Sequence, residues 1–200
     1  MTNSRTLLFA AISAAALVSA CQKPREPAPA NDMAGANDMG AMNEAAPIQV
    51  QAAQLLDGTG KPIGQVEMSE DSSGLTLKVT AAGLPAGTHG VHLHEKGTCE
   101  GPKFESAGAH WNPASKQHGR DNPMGAHLGD LANMDAAEGA EASSSYQVAG
   151  VTMGGTGNAL ADADGTSLVV HAKADDYKTD PSGNSGDRIA CAVLAPLMGG

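Results

Sequence analysis

The chain is 200 residues long with 41% apolar side chains, enough for one ordinary domain plus extensions, but aromatics make up only 2%, so the core must be built from Val, Leu, Ile, Ala and Met. With 12 basic against 22 acidic side chains the net charge is −10. That sign disfavours nucleic acid or an anionic membrane surface as the main partner, and an anionic substrate would need a local positive spot.

Residues 1–20 read as an export leader. Arg5 supplies a positive start, Leu7 to Val18 is apolar but too short to remain in a bilayer, and small residues precede Cys21. The run Val18-Ser19-Ala20-Cys21 resembles the lipobox of bacterial lipoproteins, in which cleavage leaves the cysteine as a lipidated N-terminus. An ordinary signal peptide with an incidental cysteine is the alternative. Either way an exported chain in an oxidising compartment is expected, and the lipobox adds a lipid anchor on the periplasmic side of a bacterial membrane. Residues 21–46 are mostly Pro, Ala, Asn, Asp, Met and Gly with no apolar period, which predicts a disordered tether. Met33 and Met39 end a duplicated Ala-Asn-Asp-Met, and Met42 follows. Three thioethers suit cuprous ion, and low-complexity drift accounts for them as well.

The folded domain is expected over residues 47–200. Short alternating or β-rich runs recur there between Gly, Pro, Asn and Asp: IQVQAAQLL, PIGQVEMSE, GLTLKVTAA, GVHLHE, HLGDLANM, SYQVAGVTM, TSLVVHAK and IACAVLAP. Eight such runs without a long helical pattern predict an all-β barrel or sandwich. Three long breaks, at about 96–126, 153–166 and 174–187, carry the chemically interesting residues, as functional loops do.

Six of the seven histidines lie between His89 and Asp130, a density that points first to metal. On a strand, His92 and His94 share one face while Val91 and Leu93 take the other, and His171 would stand opposite Leu168 and Val170 on TSLVVHAK. His110, His118, His127 and Asp130 make a second group, whose three nitrogens and one carboxylate suit a closed tetrahedral zinc site. Two four-coordinate metals need eight bonds from these seven residues. One imidazole must then serve both, and His110, at the junction of the groups, is the natural candidate.

GVHLHEKGTCEGPKFESAGAHWNPASKQHG, then HLGDLANM, then SLVVHAKADDYKTDPSGNSGDRIACAV resemble copper/zinc superoxide dismutase of the exported bacterial type. The resemblance covers about Ile48 to Leu194. It implies an eight-stranded Greek-key β-barrel with long metal-binding and electrostatic loops, and an enzyme that turns superoxide into dioxygen and hydrogen peroxide. It also implies copper on His92, His94, His110 and His171, and zinc on His110, His118, His127 and Asp130, with His110 as the bridge. Asp175 takes the place of the family's carboxylate between a copper histidine and a zinc histidine, here His92 and His118.

By the same resemblance Arg188 docks the anion beside copper, and Cys99 pairs with Cys191. Asp187 stands where a small or neutral residue is expected, which weakens the steering of an anion; Lys173 and Lys178 are candidate helpers or ordinary surface charge. Trp111 is left between a subunit contact and a cover for the loop, and dimer or monomer is left open. The competing function is a non-catalytic copper-binding or copper-delivery lipoprotein on the same fold, for which a lost ligand or a lost arginine would speak. Neither is missing.

Overall fold

The computed structural model describes residues 49–195; the leader, Cys21, the tether with Met33, Met39 and Met42, and residues 196–200 lie outside them. Strands β1 (Gln49–Asp57), β2 (Pro62–Asp71) and β3 (Gly74–Ala82) form an antiparallel meander. Alternation makes β3 a strand: Leu75, Leu77, Val79 and Ala81 are buried, while Lys78 between them is exposed. The register then stacks like on like, Val66 opposite Val79 and Met68 opposite Leu77 inside, with Glu67 opposite Lys78 outside in an ion pair of 3.5 Å.

The remaining strands are β4 (Gly87–His89), β5 (Val91–His94), β6 (Met134–Ala136), β7 (Glu141–Val148), β8 (Thr166–His171) and β9 (Arg188–Ala195). Seven of the nine strands form one curled sheet in the order β5-β8-β9-β1-β2-β3-β7, and β4 pairs with β6. Neighbours that are distant in sequence, β3 with β7 and β9 with β1, carry the Greek-key crossovers. The only helical turn among the described residues is a short 3-10 turn at Glu105–Ala107. The fold is thus all-β, as the strand rhythm predicts; β4 and β5 are parted only by Gly90, so the nine segments follow eight strand paths.

Two elements differ from expectation. HLGDLANM is not a strand along its length: the backbone of His127 to Leu131 loops, with Asp130 Oδ2 accepting from the N–H groups of Gly119 (2.9 Å) and His127 (3.0 Å), and pairing resumes only at Met134. Side-chain bonds to nearby backbone outcompete the ladder there. SYQVAGVTM contributes its first residues to β7, which starts earlier, at Glu141, and ends at Val148 ahead of Gly150 in a left-handed turn.

Leucines, valines and alanines of the curled sheet fill the main core, and Trp111 is buried among them. Its N–H donates to Leu93 O (2.8 Å) and its carbonyl accepts from Gly129 N (3.0 Å), so it fastens the long loop to β5. A second small cluster, Phe104, Ala107, Val169 and Cys191, packs under that loop from the other face.

Candidate metal centre

All four residues of β5 are buried, because Val91 and Leu93 enter the core while the long loops cover the face that carries His92 and His94. β8 pairs with β5, its register with β9 shifts after Val170, and His171 ends the strand with its N–H donating to Gly90 O at 2.8 Å. The loop after β5 returns His110 and Asp130 to the same strand through isolated bridges, His94 with His110 and His92 with Asp130. Seven residues singled out from spacing thereby converge in two groups: His92, His94, His110 and His171 in one, His110, His118, His127 and Asp130 in the other. Within each group the ligand-type atoms lie within 4.8 Å of one another.

Hydrogen bonds set which ring nitrogen faces inward. His94 Nδ1 donates to Gly108 O (3.0 Å) and His171 Nδ1 to Gly186 O (3.2 Å), while His92 Nε2 faces Asp175 Oδ2 at 2.9 Å. Each carbonyl can only accept, so the opposite nitrogens are left with bare lone pairs. Those atoms, His92 Nδ1, His94 Nε2, His110 Nε2 and His171 Nε2, are buried without any hydrogen-bond partner. Four converging lone pairs with no donor fit a soft or borderline metal ion, and nothing else among the described residues satisfies them.

In the second group Asp130 Oδ1 lies 3.0 Å from His110 Nδ1, 3.0 Å from His118 Nδ1 and 3.1 Å from His127 Nδ1. A tetrahedral zinc with bonds of about 2.0 Å would separate its ligands by about 3.3 Å, so the donor set and its spacing fit that ion. Asp175 spans the groups: Oδ2 takes His92 Nε2 and Oδ1 takes His118 Nε2, each at 2.9 Å. The backbone of the loop before β9 closes over this carboxylate at Gly183, where φ is +61° and an added Cβ would stand 1.8 Å from Asp175 Oδ1. Only glycine fits there.

The same burial acts differently on the two groups. Burial drives His94 well below its ordinary value, and His171 falls to about 3 and His110 to about 4, so these rings are neutral lone-pair donors. Burial also pulls on His118, but hydrogen bonds to Asp130 and Asp175 outweigh it and lift that ring to about 9. Both carboxylates, which burial alone would raise, are held well below the usual range by their histidine partners.

Arg188 opens β9 and is half-buried, donating through Nη1 to Phe104 O and through Nη2 to Gly108 O, each at 2.6 Å. Gly108 O is therefore shared with His94, and the guanidinium is fixed beside the first group. A cavity of about 610 Å³ borders Arg188, lined by Lys103, Glu105 and Asp187 among others. Cys99 and Cys191 form a disulfide across 92 residues, tying the loop to β9 three residues beyond Arg188. In the chain-entropy model such a loop contributes up to ~4–5 kcal/mol.

The profile of the copper/zinc superoxide dismutase (SODC) family matches residues 63–194. The chain belongs to that family. Superoxide dismutase [Cu-Zn] 2 of Aquifex aeolicus is 42% identical over 144 residues, 71% of this chain and 84% of that protein. Superoxide dismutase [Cu-Zn] of Caulobacter vibrioides is 45% identical over 140 residues, 68% of this chain and 80% of that one. Among solved structures, a SOD-like protein from Bacillus subtilis superposes with a TM-score of 0.70 at 38% identity, over 74% of this chain and 99% of the other. The copper/zinc superoxide dismutase family membership makes the chain an oxidoreductase acting on superoxide, with copper and zinc as its cofactors.

Sequence reasoning left several residues of the centre without a role. His89 is buried with its ring nitrogens 2.7 Å from His171 O and 2.8 Å from Pro85 O, so it braces the β8 end from behind. Asn133, Tyr177 and Asp180 hold the loops together through bonds that no periodicity announces. Lys103, rather than Lys173 or Lys178, lines the cavity before Arg188.

Proposed function

We propose that this chain dismutes superoxide at a centre in which His110 is shared between copper and zinc. The observation that carries it is the division of that ring: Nδ1 faces Asp130 in one group, and Nε2 is the unpartnered member of the other. Copper would be held by His92, His94, His110 and His171, and zinc by His110, His118, His127 and Asp130. Copper bound there supplies one-electron redox chemistry, and zinc supplies a fixed positive charge of constant valence.

The remaining roles belong to the protein. Arg188 is charged at every working pH and, with its fork fixed on two carbonyls, attracts and orients the anion at the end of the cavity. Nε2 of His110, kept neutral by burial, is the atom that can hold a proton and pass it to the reduced oxygen species. Asp175 accepts from His92 and His118 and so fixes both tautomers and both ring planes. Covering loops exclude bulk water, and two anions that repel each other react in turn instead of meeting. The complete ligand set and Arg188 argue against a copper-delivery protein on the same fold.

The lipobox-like run supports export, cleavage before Cys21 and a lipid anchor on the periplasmic side of a bacterial membrane, with residues 21–46 as tether. The test is superoxide decay with full-length protein, as isolated, after chelation and after return of copper and zinc. Activity should fall with metal loss, return with both ions, and sediment with membranes unless Cys21→Ser is introduced. A fully loaded chain that leaves superoxide decaying at its uncatalysed rate would falsify the enzymatic reading, and an unchanged membrane fraction for the cysteine variant would remove the anchor.

A further inference from the structure

Tyr177 sits at the meeting point of three segments that bear on the zinc position. Its backbone is left-handed, φ +61°, which a large side chain adopts only when its surroundings impose it. Its N–H donates to Asp175 Oδ1 at 2.7 Å, and its carbonyl accepts from Asp121 N at 3.0 Å in the loop that carries His118. The hydroxyl accepts from Asn133 N at 2.9 Å. Asn133 in turn grips the backbone of Asp175 from both sides, Nδ2 to its carbonyl at 3.0 Å and Oδ1 from its N–H at 2.8 Å.

The outer face of the ring is also covered. The guanidinium carbon of Arg120 lies 3.8 Å from the ring centroid, a cation–π contact made by the residue two beyond His118. Between them stands Gly119, where an added Cβ would be 2.1 Å from Tyr177 O, so the two loops touch backbone to backbone. Asp180 adds a bond from the same side, accepting from His118 N at 2.6 Å.

We propose that Tyr177, clasped by Arg120, is a positioning residue that keeps the zinc-carrying loop closed on Asp175 and thereby sets how fast zinc leaves. It rests on the assignment of zinc to His110, His118, His127 and Asp130. The ring spaces the loops, the hydroxyl ties them to Asn133, and the main chain supplies one of the donors to Asp175. Loss of any of these leaves the ligand set intact but frees the orientation of the carboxylate that aims His118.

The experiment uses the full chain loaded with copper and zinc and follows zinc transfer to a chromophoric chelator. Tyr177→Phe keeps the ring and the arginine contact but loses one hydrogen bond, so zinc release should quicken about three- to tenfold. Arg120→Gln should quicken it about twofold. Cobalt(II) placed at the zinc position should show a shifted visible spectrum in Tyr177→Phe, which a general loss of stability would not cause. Tyr146→Phe, at a buried tyrosine outside the hydrogen bonds that join Tyr177, Asn133 and Asp175, should leave both readouts unchanged. Wild-type release and an unaltered cobalt spectrum in Tyr177→Phe overturn the proposal, as does equal quickening by Tyr146→Phe. A wild-type chain that retains no zinc overturns the metal assignment itself and is recognised before any variant is compared.

Discussion

Three of the four imidazoles proposed for copper stand on strands β5 and β8, whereas every residue proposed for zinc lies on the single loop between β5 and β6. The first group inherits its geometry from ladders that are hydrogen-bonded whether or not an ion is present. The second crowds three ring nitrogens around one carboxylate oxygen, an arrangement that a loop with few ladder bonds keeps best when a cation is bound among them. The difference teaches a division of labour. Under the proposed assignment the sheet would set the copper ligands, and zinc on the loop would hold His110 against them.

The sharpest way to break this contrast is to remove one strand-borne ligand. His94→Ala or His171→Ala should lower dismutation by more than about a hundredfold, beyond what changes behind a ligand usually cost. Zinc content and far-UV circular dichroism should stay close to wild type, because neither side chain belongs to the loop-borne group. Measurable activity near the wild-type level in either variant would contradict the assignment.

Next in size is the response of the metal-free chain to pH, where the two groups pull in opposite directions. His110 and His171 titrate at about 4 and 3 when folded, against an ordinary 6.5, so the unfolded chain takes up protons first. Their contribution to stability is complete above about 6.5 and is lost as pH falls toward 3. His118, raised to about 9, contributes fully below 6.5 and loses that contribution as pH rises through 9. Thermal melts of the chelated protein should drop by roughly 5 to 10 °C between pH 6.5 and 4.5. His118→Gln should flatten only the alkaline side. A melting temperature independent of pH below 6.5 would show that His110 and His171 are not held neutral.

Much of the strand-borne half was legible in the sequence, since a two-residue period is all that is needed to put His92 and His94 on one face and Val91 and Leu93 on the other. The loop-borne half was legible only as a count of ligands. Its path was not, because His127 to Leu131 reads as a strand by composition and is bent instead by Asp130 accepting from the backbone around it. Asn133 and Tyr177 act through single hydrogen bonds between segments about 40 residues apart, which leave no pattern in either segment. His89, three residues before His92, was visible as a histidine but not as the brace behind His171.

The smallest effect concerns the cavity beside Arg188. The sequence leaves Lys173 and Lys178 as candidate helpers or ordinary surface charge, and the disulfide-tied loop brings Lys103 to the cavity, together with Glu105. Lys103, Arg188, Glu105 and Asp187 therefore line one opening, two charges of each sign on a protein whose net charge is −10. Such a mouth gives an anion little long-range pull, so capture depends on the fixed guanidinium at its end. Asp187→Asn should raise the second-order rate about twofold at low ionic strength and Lys103→Gln should lower it about twofold. Both differences should shrink above about 0.1 M salt, where the screening length is about 10 Å. Equal rates for all three proteins at low salt would mean that these side chains lie outside the path of superoxide, and that the anion reaches Arg188 by another face of the loop.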